Sequence, residues 1–402
     1  MVLFKKALSK TALLALCLFL LTPAASNELK EVAPNPAEVY AAQATAITRS
    51  PTSHVKGKVF QRFTSVWFEN TDFETTAADP NFQWLAKKGI TLTNYLGVTH
   101  PSEPNYIAAV GGDYFGLDAD PFTALPPNVS SVVDLLEDKA ITWGLYQEDM
   151  PYSGFEGFEW RNQETGADAY VRKHNPEVIF DSVANNPDRL ALIKNTTMFQ
   201  ADLEANTLPQ WIFVTPNMTS DAHDSDITTA GQWLRDFMEP LLEDENFMNN
   251  TLVLITFDEN ETYAEQNRVL SILVGDAVPE HLEGTTDSTY YDHYSQISTV
   301  EANWDLHTLG RYDVGANVFS YVAEQTGDTI RKWDEDTLRN RYFNYSYPGI
   351  LSEREYAPQP VPNTELVVNN RTVLPAIKEY WSGKDNGTKY QGALEIPDGY
   401  NY

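Results

Sequence analysis

The feature that most constrains this chain is an alternation of short apolar segments with amphipathic ones, beginning at about residue 59. The apolar segments predict strands at Val59–Phe68, Ile90–Val98, Ile141–Tyr146, Trp211–Thr215, Leu252–Phe257 and Val269–Val274. The segments between them predict helices, among them Asn105–Val110, Val132–Asp138, Thr229–Leu242 and Ser295–Trp304. Strands that alternate with helices form a largely parallel sheet, so we expect an α/β fold with helices on both faces of a central sheet.

The first 26 residues have the three parts of a secretory signal peptide. Lys5, Lys6 and Lys10 precede an apolar run from Ala12 to Leu21, and small residues follow it. The run is short for a bilayer span, although an N-terminal anchor is the alternative interpretation. We therefore expect a secreted protein, extracellular or in the cell wall or periplasmic space, with no stable membrane association.

The remaining chain is predicted to form one catalytic domain. Residues 27–57 carry no clear periodicity and are predicted to be an irregular arm, and 58–402 to be a single domain. From about Asn344 onward the domain is rich in proline and tyrosine, which predicts a loop-rich C-terminal tail. Cys17, the only cysteine, lies in the segment to be removed, so the mature chain has no disulfide.

The charge of the chain excludes one class of partner and its sequons suggest a modification. There are 57 Asp and Glu against 28 Lys and Arg, a formal charge of −29, and such a surface repels nucleic acid. Asn-x-Ser/Thr sequons predict glycosylation at Asn128, Asn195, Asn249, Asn344, Asn370 and Asn386. Two further sequons, at Asn217 and Asn260, lie too close to the predicted site for a glycan to fit easily.

Polar side chains follow several predicted strands. Glu69 and Asn70 follow the first strand, Asp258 and Glu259 follow the Leu252 strand, and an acidic loop with His223 follows the Trp211 strand. The carboxyl ends of parallel strands meet at one edge of a sheet, where ligands bind. Hard oxygen donors with an imidazole suit a divalent cation, and adjacent buried acids repel each other unless a cation is near. A metal-assisted hydrolase is the direct inference, with solvated turns as the alternative.

Three further segments carry side chains that could take part in catalysis or in binding. Ser102 lies at a predicted helix start, where it is either a simple N-cap or a nucleophile whose oxyanion meets free backbone N–H groups. Lys173 and His174 belong to one of the few basic clusters, which is either a surface patch or an anion-binding group. His293 precedes another helix and is either a capping or core histidine or a functional one.

Several other catalytic motifs do not occur in the sequence. It contains no G-x-S-x-G, no nucleotide-binding G-x-x-x-x-G-K-[ST] or G-x-G-x-x-G, and no H-E-x-x-H. The sequence therefore disfavours an α/β-hydrolase esterase, a P-loop or dinucleotide enzyme, and a zincin protease. A carboxylate pair of the glycosidase type stays open, because sequence does not give the spacing of two acids.

Six spaced segments together resemble the phosphoesterase family that contains secreted fungal acid phosphatases and bacterial non-specific phospholipases C. They are Phe68–Asn70, Thr99–Tyr106, Lys173–Pro176, Pro216–Met218 with Asp221–His223, Thr256–Glu259 and Asp292–Ser295. The resemblance runs in order from about residue 60 to 311 and implies an alkaline phosphatase-like fold. It also implies a metal-dependent phosphomonoesterase with a serine or threonine nucleophile.

The resemblance implies a role for each matching residue. It makes Ser102 the nucleophile, and it implies a divalent metal held by Glu69, Asn70, Ser102, Asp258 and Glu259. We further predict substrate binding by Asn105, Lys173 and Asp221, and leave the proton donor open among His174, His223 and His293. Relatives with two zinc ions carry a single Asp in place of Glu69-Asn70 and a His in place of Glu259, so this oxygen-rich set favours one metal over two and leaves its identity open.

Taken together, these features predict a secreted acid phosphatase that hydrolyses small phosphate monoesters through a phosphoserine. A phospholipase C-type phosphodiesterase is the nearest alternative, because the same segments permit it. A non-catalytic secreted glycoprotein is the alternative from another class. The sequence leaves homo-oligomer formation open.

Overall fold

A computed structural model describes residues 34–333, 338, 342–343, 347, 349–351, 360–384 and 387–395 of the 402-residue chain. The predicted signal peptide, residues 1–26, and the sequons at Asn344 and Asn386 lie outside the described residues.

A mostly parallel sheet forms the centre of the protein. In chain order the strands are β1 Arg62–Phe68, β2 Gly89–Leu96, β3 Trp143–Gln147, β4 Glu159–Arg161, β5 Asp168–Val171, β6 Ile193–Asn195, β7 Trp211–Thr215, β8 Thr251–Phe257, β9 Arg268–Val274, β10 Thr285–Asp287, β11 Tyr291–Asp292, β12 Val367–Val368 and β13 Arg371–Thr372. The main sheet has the order β10-β2-β9-β8-β1-β7-β3-β6, and β11 also pairs with β2. Within it only β9 runs antiparallel to its neighbours, β2 and β8, so the other strands end at one edge.

Helices cover both faces of this sheet. They are α1 Pro36–Gln43, α2 Phe73–Ala78, α3 Pro80–Ala86, α4 Ser102–Gly111, α5 Val132–Asp138, α6 Asp181–Ala184, α7 Pro187–Leu190, α8 Thr197–Glu204, α9 Ile227–Leu241, α10 Glu245–Met248, α11 Tyr294–Trp304, α12 Ser320–Thr326 and α13 Pro375–Trp381, with 3₁₀ turns at Arg172–His174, Glu177–Ile179, Glu280–Leu282 and Tyr312–Val314. Trp67 and Phe68 are neighbours in β1 and point to opposite faces. Phe68 packs on Trp233 of α9, and Trp67 packs on Tyr106 of α4.

The sequence prediction of an α/β fold with a largely parallel sheet is confirmed. All residues of β8 and β7 are buried, which is typical of strands covered by helices on both sides and explains their unbroken apolar sequence. The first strand begins at Arg62 rather than Val59, because the Asn303 side chain binds the backbone there: its Oδ1 accepts from Val59 N at 2.8 Å and from Phe60 N at 3.0 Å. The sequence pattern did not predict the short strands β4, β5, β6, β10, β11, β12 and β13, since two to four residues carry too little periodicity.

The N-terminal arm differs from its predicted irregular character. Residues Pro36–Gln43 form a helix, which Asn35 caps by accepting a hydrogen bond from Ala37 N at 3.0 Å. Proline at the first helical position suits such a start, because that residue needs no N–H partner. Among the described residues, every helix is too short or too polar to cross a bilayer.

The described part of the C-terminal tail contains a two-stranded hairpin, β12 with β13, and helix α13. It packs on the domain through backbone hydrogen bonds such as that from Thr308 N to Thr372 O, 3.0 Å. Tyr347 and Tyr390 of the tail both donate hydrogen bonds to the buried carboxylate of Asp113, just beyond α4. The described part of the tail therefore packs on the rest of the protein.

Candidate active site

Four strands deliver acidic or hydroxyl groups to one edge of the sheet. Glu69 follows β1, the loop to Ser102 follows β2, Asp221 lies in the loop after β7, and Asp258 and Glu259 follow β8. The loops are tied together by backbone hydrogen bonds: Glu69 N donates to Asp221 O at 2.9 Å, and Asp258 N donates to Phe68 O at 3.1 Å. The four segments therefore lie together at the carboxyl ends of the sheet strands, as the sequence predicts.

Ser102 is the first residue of helix α4 and is buried, with 2% exposure. Its hydroxyl donates a hydrogen bond to Glu69 Oε2 at 3.0 Å. The positive dipole end of a helix start favours an anion at this place. The position is thus suited to a hydroxyl that becomes an oxyanion.

The loop before Ser102 is held by the side chain of Asn105. Its Oδ1 accepts from Val98 N at 2.9 Å and Thr99 N at 3.3 Å, and its Nδ2 donates to Thr99 O at 2.8 Å and Pro101 O at 3.2 Å. These four bonds use both donors and both lone pairs of the amide. In the structure Asn105 therefore positions the loop between β2 and α4. The sequence predicts instead that Asn105 binds substrate.

Gly97 lets the ends of β2 and β8 approach each other. A Cβ at this residue would lie 2.7 Å from the Asn267 side chain and 2.7 Å from Asp258 O. Asn267 in turn donates from Nδ2 to Thr99 O at 2.9 Å and accepts from Asn260 N at 2.9 Å. Only glycine fits this approach, which places the serine loop beside the acidic pair.

Glu69 lies at the centre of the cluster. Its Oε1 accepts from the Tyr106 hydroxyl at 2.6 Å and lies 3.1 Å from His174 Nε2. His174 Nδ1 lies 3.7 Å from Asp221 Oδ2, and the His174 ring stacks on Tyr106 with centroids 5.0 Å apart. Glu69, His174 and Asp221 each offer a ligand atom, and these atoms lie within 4.8 Å of one another.

The adjacent acids Asp258 and Glu259 are both fully buried. Burial, together with repulsion by Glu69, raises the pKa of each carboxyl well above its ordinary value, although the nearby Ser102 hydroxyl lowers both. Among the described residues, no donor makes a hydrogen bond of ordinary geometry to either Asp258 oxygen. His100 Nδ1 lies 2.5 Å from Glu259 Oε2, and burial lowers the pKa of His100 to about 3.

The donor set fits a divalent cation. Burial raises the pKa of Glu69 and Asp221 as well, so four mutually repelling carboxyl groups share one region that is shielded from water. Asn70 adds a buried Oδ1 without a hydrogen-bond partner among the described residues. A nearby cation offsets this repulsion, and carboxylate and amide oxygens are ligands of hard ions. His174, which was predicted as a proton donor, is close enough to contribute an imidazole.

Lys173 supplies positive charge at the rim. Its Nζ donates to Asp120 Oδ2 at 2.9 Å. Burial lowers the pKa of Lys173, but Asp120, Glu69 and Asp258 outweigh it and the net pKa is raised, so the ammonium keeps its charge. Asp120 Oδ1 also accepts from Glu103 N at 2.9 Å, which fixes this pair against the first turn of α4.

The sequence profile of the phosphoesterase family matches residues 26–307, well over half of the chain. The chain belongs to the phosphoesterase family. The matched range contains every residue of the cluster described above, so the predicted family resemblance is confirmed.

This phosphoesterase is similar in sequence to two fungal acid phosphatases. It is 51% identical over 384 residues to the phosphate-repressible acid phosphatase of Penicillium chrysogenum, covering 90% of this chain and 92% of the relative. It is 48% identical over 377 residues to an acid phosphatase of Aspergillus fumigatus, covering 92% and 84%. Among solved structures, a protein of the alkaline phosphatase superfamily from Vibrio parahaemolyticus matches with a TM-score of 0.39 at 10% identity, covering 66% of this chain and 73% of that one.

The two remaining predicted histidines of the phosphoesterase lie in different surroundings. His293 is fully buried, its Nε2 lies 2.5 Å from the backbone oxygen of Asp258, and burial lowers its pKa to about 3. His223 is partly exposed, with Nδ1 2.8 Å from Asp224 Oδ1. Its ring centroid lies 6.0 Å from that of His174. His293 therefore positions the Asp258 backbone, and His223 lies at the open side of the cluster.

Sequence reasoning gave no role to several residues that build the site. Tyr106 and His100 both lie within the segment Thr99–Tyr106, so their nearness to Ser102 along the chain was an available signal. Asp120 and Asn267 had no such signal, because the contacts of Asp120 with Lys173 and of Asn267 with Thr99 join parts of the chain that are far apart in sequence.

The predicted sequons differ in accessibility. Asn249 and Asn370 are exposed, and Asn128 and Asn195 are partly exposed. Asn195 uses its side chain to donate to Met150 O at 2.8 Å. Asn260, which was set aside, is 2% exposed and donates to Thr262 O at 2.8 Å, so a glycan has no room there. Glycosylation at the other sequons stays a prediction.

Proposed function

We propose that this phosphoesterase is an acid phosphatase that hydrolyses small phosphate monoesters with Ser102 as nucleophile. The observation that carries the proposal is the buried Ser102 hydroxyl, 3.0 Å from Glu69 Oε2 at the start of α4 and beside three further carboxyl groups. The acid phosphatase names of relatives that are about half identical over most of the chain support it.

The first step is transfer of the phosphoryl group to the enzyme. Ser102 Oγ attacks phosphorus in line, a bond from Oγ to phosphorus forms, and the bond from phosphorus to the ester oxygen breaks. The hydroxyl proton moves toward Glu69 Oε2, its hydrogen-bond acceptor. The positive dipole end of α4 and the Lys173 ammonium stabilise the negative charge of the phosphoryl oxygens.

The residues predicted to hold a divalent metal are Glu69, Asn70, Ser102, Asp258 and Glu259, with one ion favoured over two. When bound, such an ion supplies positive charge that favours ionisation of a serine hydroxyl and offsets charge on phosphoryl oxygens.

The departing alkoxide needs a proton, and we assign its donation to His223. Burial lowers the pKa of His174 well below its ordinary value and that of His293 to about 3, so both are neutral at moderately acidic pH. His223 is the partly exposed member of the three, and its Nδ1 lies 2.8 Å from Asp224 Oδ1. In the second step water attacks the phosphorus of the phosphoserine, and the bond from phosphorus to Ser102 Oγ breaks. The neutral His223 imidazole takes a proton from that water, and Glu69 returns its proton to Ser102 Oγ.

The test replaces Ser102 by Ala and measures hydrolysis of 4-nitrophenyl phosphate, with ³²P-labelled monoester and acid quench to trap phosphoenzyme. We expect turnover to fall by at least about 10³-fold and the trapped label to disappear. Ser382→Ala, a matched change in the turn after α13, should retain both. Wild-type turnover in the Ser102 variant would overturn the assignment. A diester measured in parallel separates the phosphodiesterase alternative.

We also propose that residues 1–26 direct export of the protein, on the basis of their sequence pattern. The N-terminal sequence of protein recovered from the medium or cell wall should begin near residue 27. Protein that keeps its first residues would contradict this.

A further inference from the structure

A cavity of about 380 Å³ lies beside the candidate active site. Its walls come from the loop after β1, from α2, from the loop after β7 and from the loop after β8. The lining residues that matter here are Asn70, Thr75, His223, Ser225, Asp226 and Glu261. The volume is within the range of pockets that bind small molecules.

Two lining residues connect this cavity with the reacting groups. Asn70 directly follows Glu69 and presents a buried Oδ1 that has no hydrogen-bond partner among the described residues. His223, the assigned proton donor, borders the cavity, and its ring centroid lies 6.0 Å from that of His174, whose Nε2 is 3.1 Å from Glu69 Oε1. In-line attack puts the leaving oxygen on the side of phosphorus opposite to Ser102. The leaving alcohol then extends past His223 into this space.

The charge of the lining is negative. Asp226 and Glu261 contribute carboxyl groups, and His223 is paired with the carboxylate of Asp224 at 2.8 Å. No lysine or arginine is among the described residues that line the cavity. An anionic group placed there meets repulsion, whereas an ammonium group meets attraction.

The Glu261 wall is held firmly in place. On one side Asn260 Nδ2 donates to Asp72 Oδ1 at 3.2 Å, and on the other Thr262 Oγ1 donates to Asp72 Oδ2 at 2.6 Å. Asp226 is fixed as well, because its Oδ1 caps α9 by accepting from Thr229 N at 3.0 Å. Glu261 therefore borders the cavity between two anchored neighbours, and the Asp226 carboxyl is kept at the start of α9.

We propose that this cavity is the leaving-group subsite and that it selects monoesters of alcohols bearing an amino group or neutral hydroxyls over those bearing a second anionic group. The inference rests on the proposed function, since it concerns the alcohol that Ser102 displaces. Asp226 and Glu261 act as specificity-determining residues through their charge.

The experiment compares kcat/KM for phosphoethanolamine, glycerol 2-phosphate and 3-phosphoglycerate, which are similar in size and differ in charge, at pH 6 and low salt. We expect wild-type enzyme to prefer phosphoethanolamine to 3-phosphoglycerate. Glu261→Gln should lower this preference about threefold and Glu261→Lys about tenfold. Added salt should reduce the wild-type preference, because it screens charges near the surface.

The matched control is Glu164→Lys, which makes the same charge change at an exposed acid in the β4–β5 turn. Its preference should equal that of wild type, and Asp226→Asn, which keeps the acceptor that caps α9, should behave like Glu261→Gln. A preference that is unchanged in Glu261→Lys, or that falls equally in Glu164→Lys, would overturn the inference. Failure of wild-type enzyme to hydrolyse glycerol 2-phosphate would instead contradict the proposed function.

Discussion

At the residue scale, the hydroxyl of Tyr106 tunes the central carboxylate. It donates to Glu69 Oε1 at 2.6 Å and lowers the pKa of Glu69, which burial raises. Tyr106→Phe removes this donor, so the pKa of Glu69 should rise and the acidic limb of the kcat/KM profile should move to higher pH, with activity at low pH falling about tenfold. Tyr380→Phe at an exposed tyrosine is the control, and an unmoved acidic limb would contradict the role.

A second prediction at the residue scale concerns His223 as the proton donor to the leaving oxygen. If His223 protonates the leaving oxygen, His223→Gln should slow hydrolysis of an alkyl ester such as glycerol 2-phosphate by on the order of 10²-fold. The loss for 4-nitrophenyl phosphate should be much smaller, because nitrophenolate departs without a proton. The exposed His281 provides the control variant, His281→Gln. Equal losses for both esters would remove His223 from this role.

At the scale of one element, helix α4 and the loop before it form a unit that Asn105 holds together. Asn105→Ala leaves Val98 N and Thr99 N without their acceptor. We expect the free energy of unfolding in urea to fall by about 2 kcal/mol or more, and kcat to fall with it. Asn105→Asp keeps the acceptor and loses the donor, so it should lie between wild type and Ala. An Asn105→Ala variant with wild-type stability and normal kcat would show that the loop keeps its conformation without the Asn105 side chain.

At the scale of the whole molecule, buried acids make the fold suited to acidic conditions. Burial raises the pKa of Glu177 to about 8 and that of Asp292 to about 7, so the folded state holds protons that the unfolded chain releases at lower pH. Stability should therefore fall as the pH rises from the ordinary carboxyl pKa toward 8, and this contribution is fully present only below that window. Stability falls with rising pH because, in this pH range, the folded state binds more protons than the unfolded state.

Glu177→Gln tests this dependence away from the candidate site. Glu177 accepts a hydrogen bond from Ser131 Oγ at 2.8 Å, which Gln can keep. The loss of unfolding free energy between pH 5 and pH 8 should be smaller in the variant than in wild type by about 2 kcal/mol or more. Glu324→Gln, at an exposed helix position, should leave the loss unchanged. Equal pH dependence in all three proteins would contradict the prediction.

The local sequence determined the elements and the order in which polar groups leave the sheet. Trp211–Thr215 and Val132–Asp138 were predicted with the bounds that they have, because apolar periodicity is a property of adjacent residues. Glu69, Ser102, Asp258 and Glu259 were placed together because strands that end at one edge bring their following residues into contact. The meeting of these segments at one edge of the sheet was therefore predictable from the sequence, and the roles of their residues stay predictions.

Only the tertiary structure decided what each of these residues does. That Asn105 holds the loop, that His293 contacts the Asp258 backbone and that His223 faces a cavity depend on contacts between segments far apart in the chain. The shifts in pKa likewise arise from burial and from charges brought close by folding. A sequence pattern records the type of a side chain, whereas its partner, its exposure to water and its charge state are properties of the packed molecule.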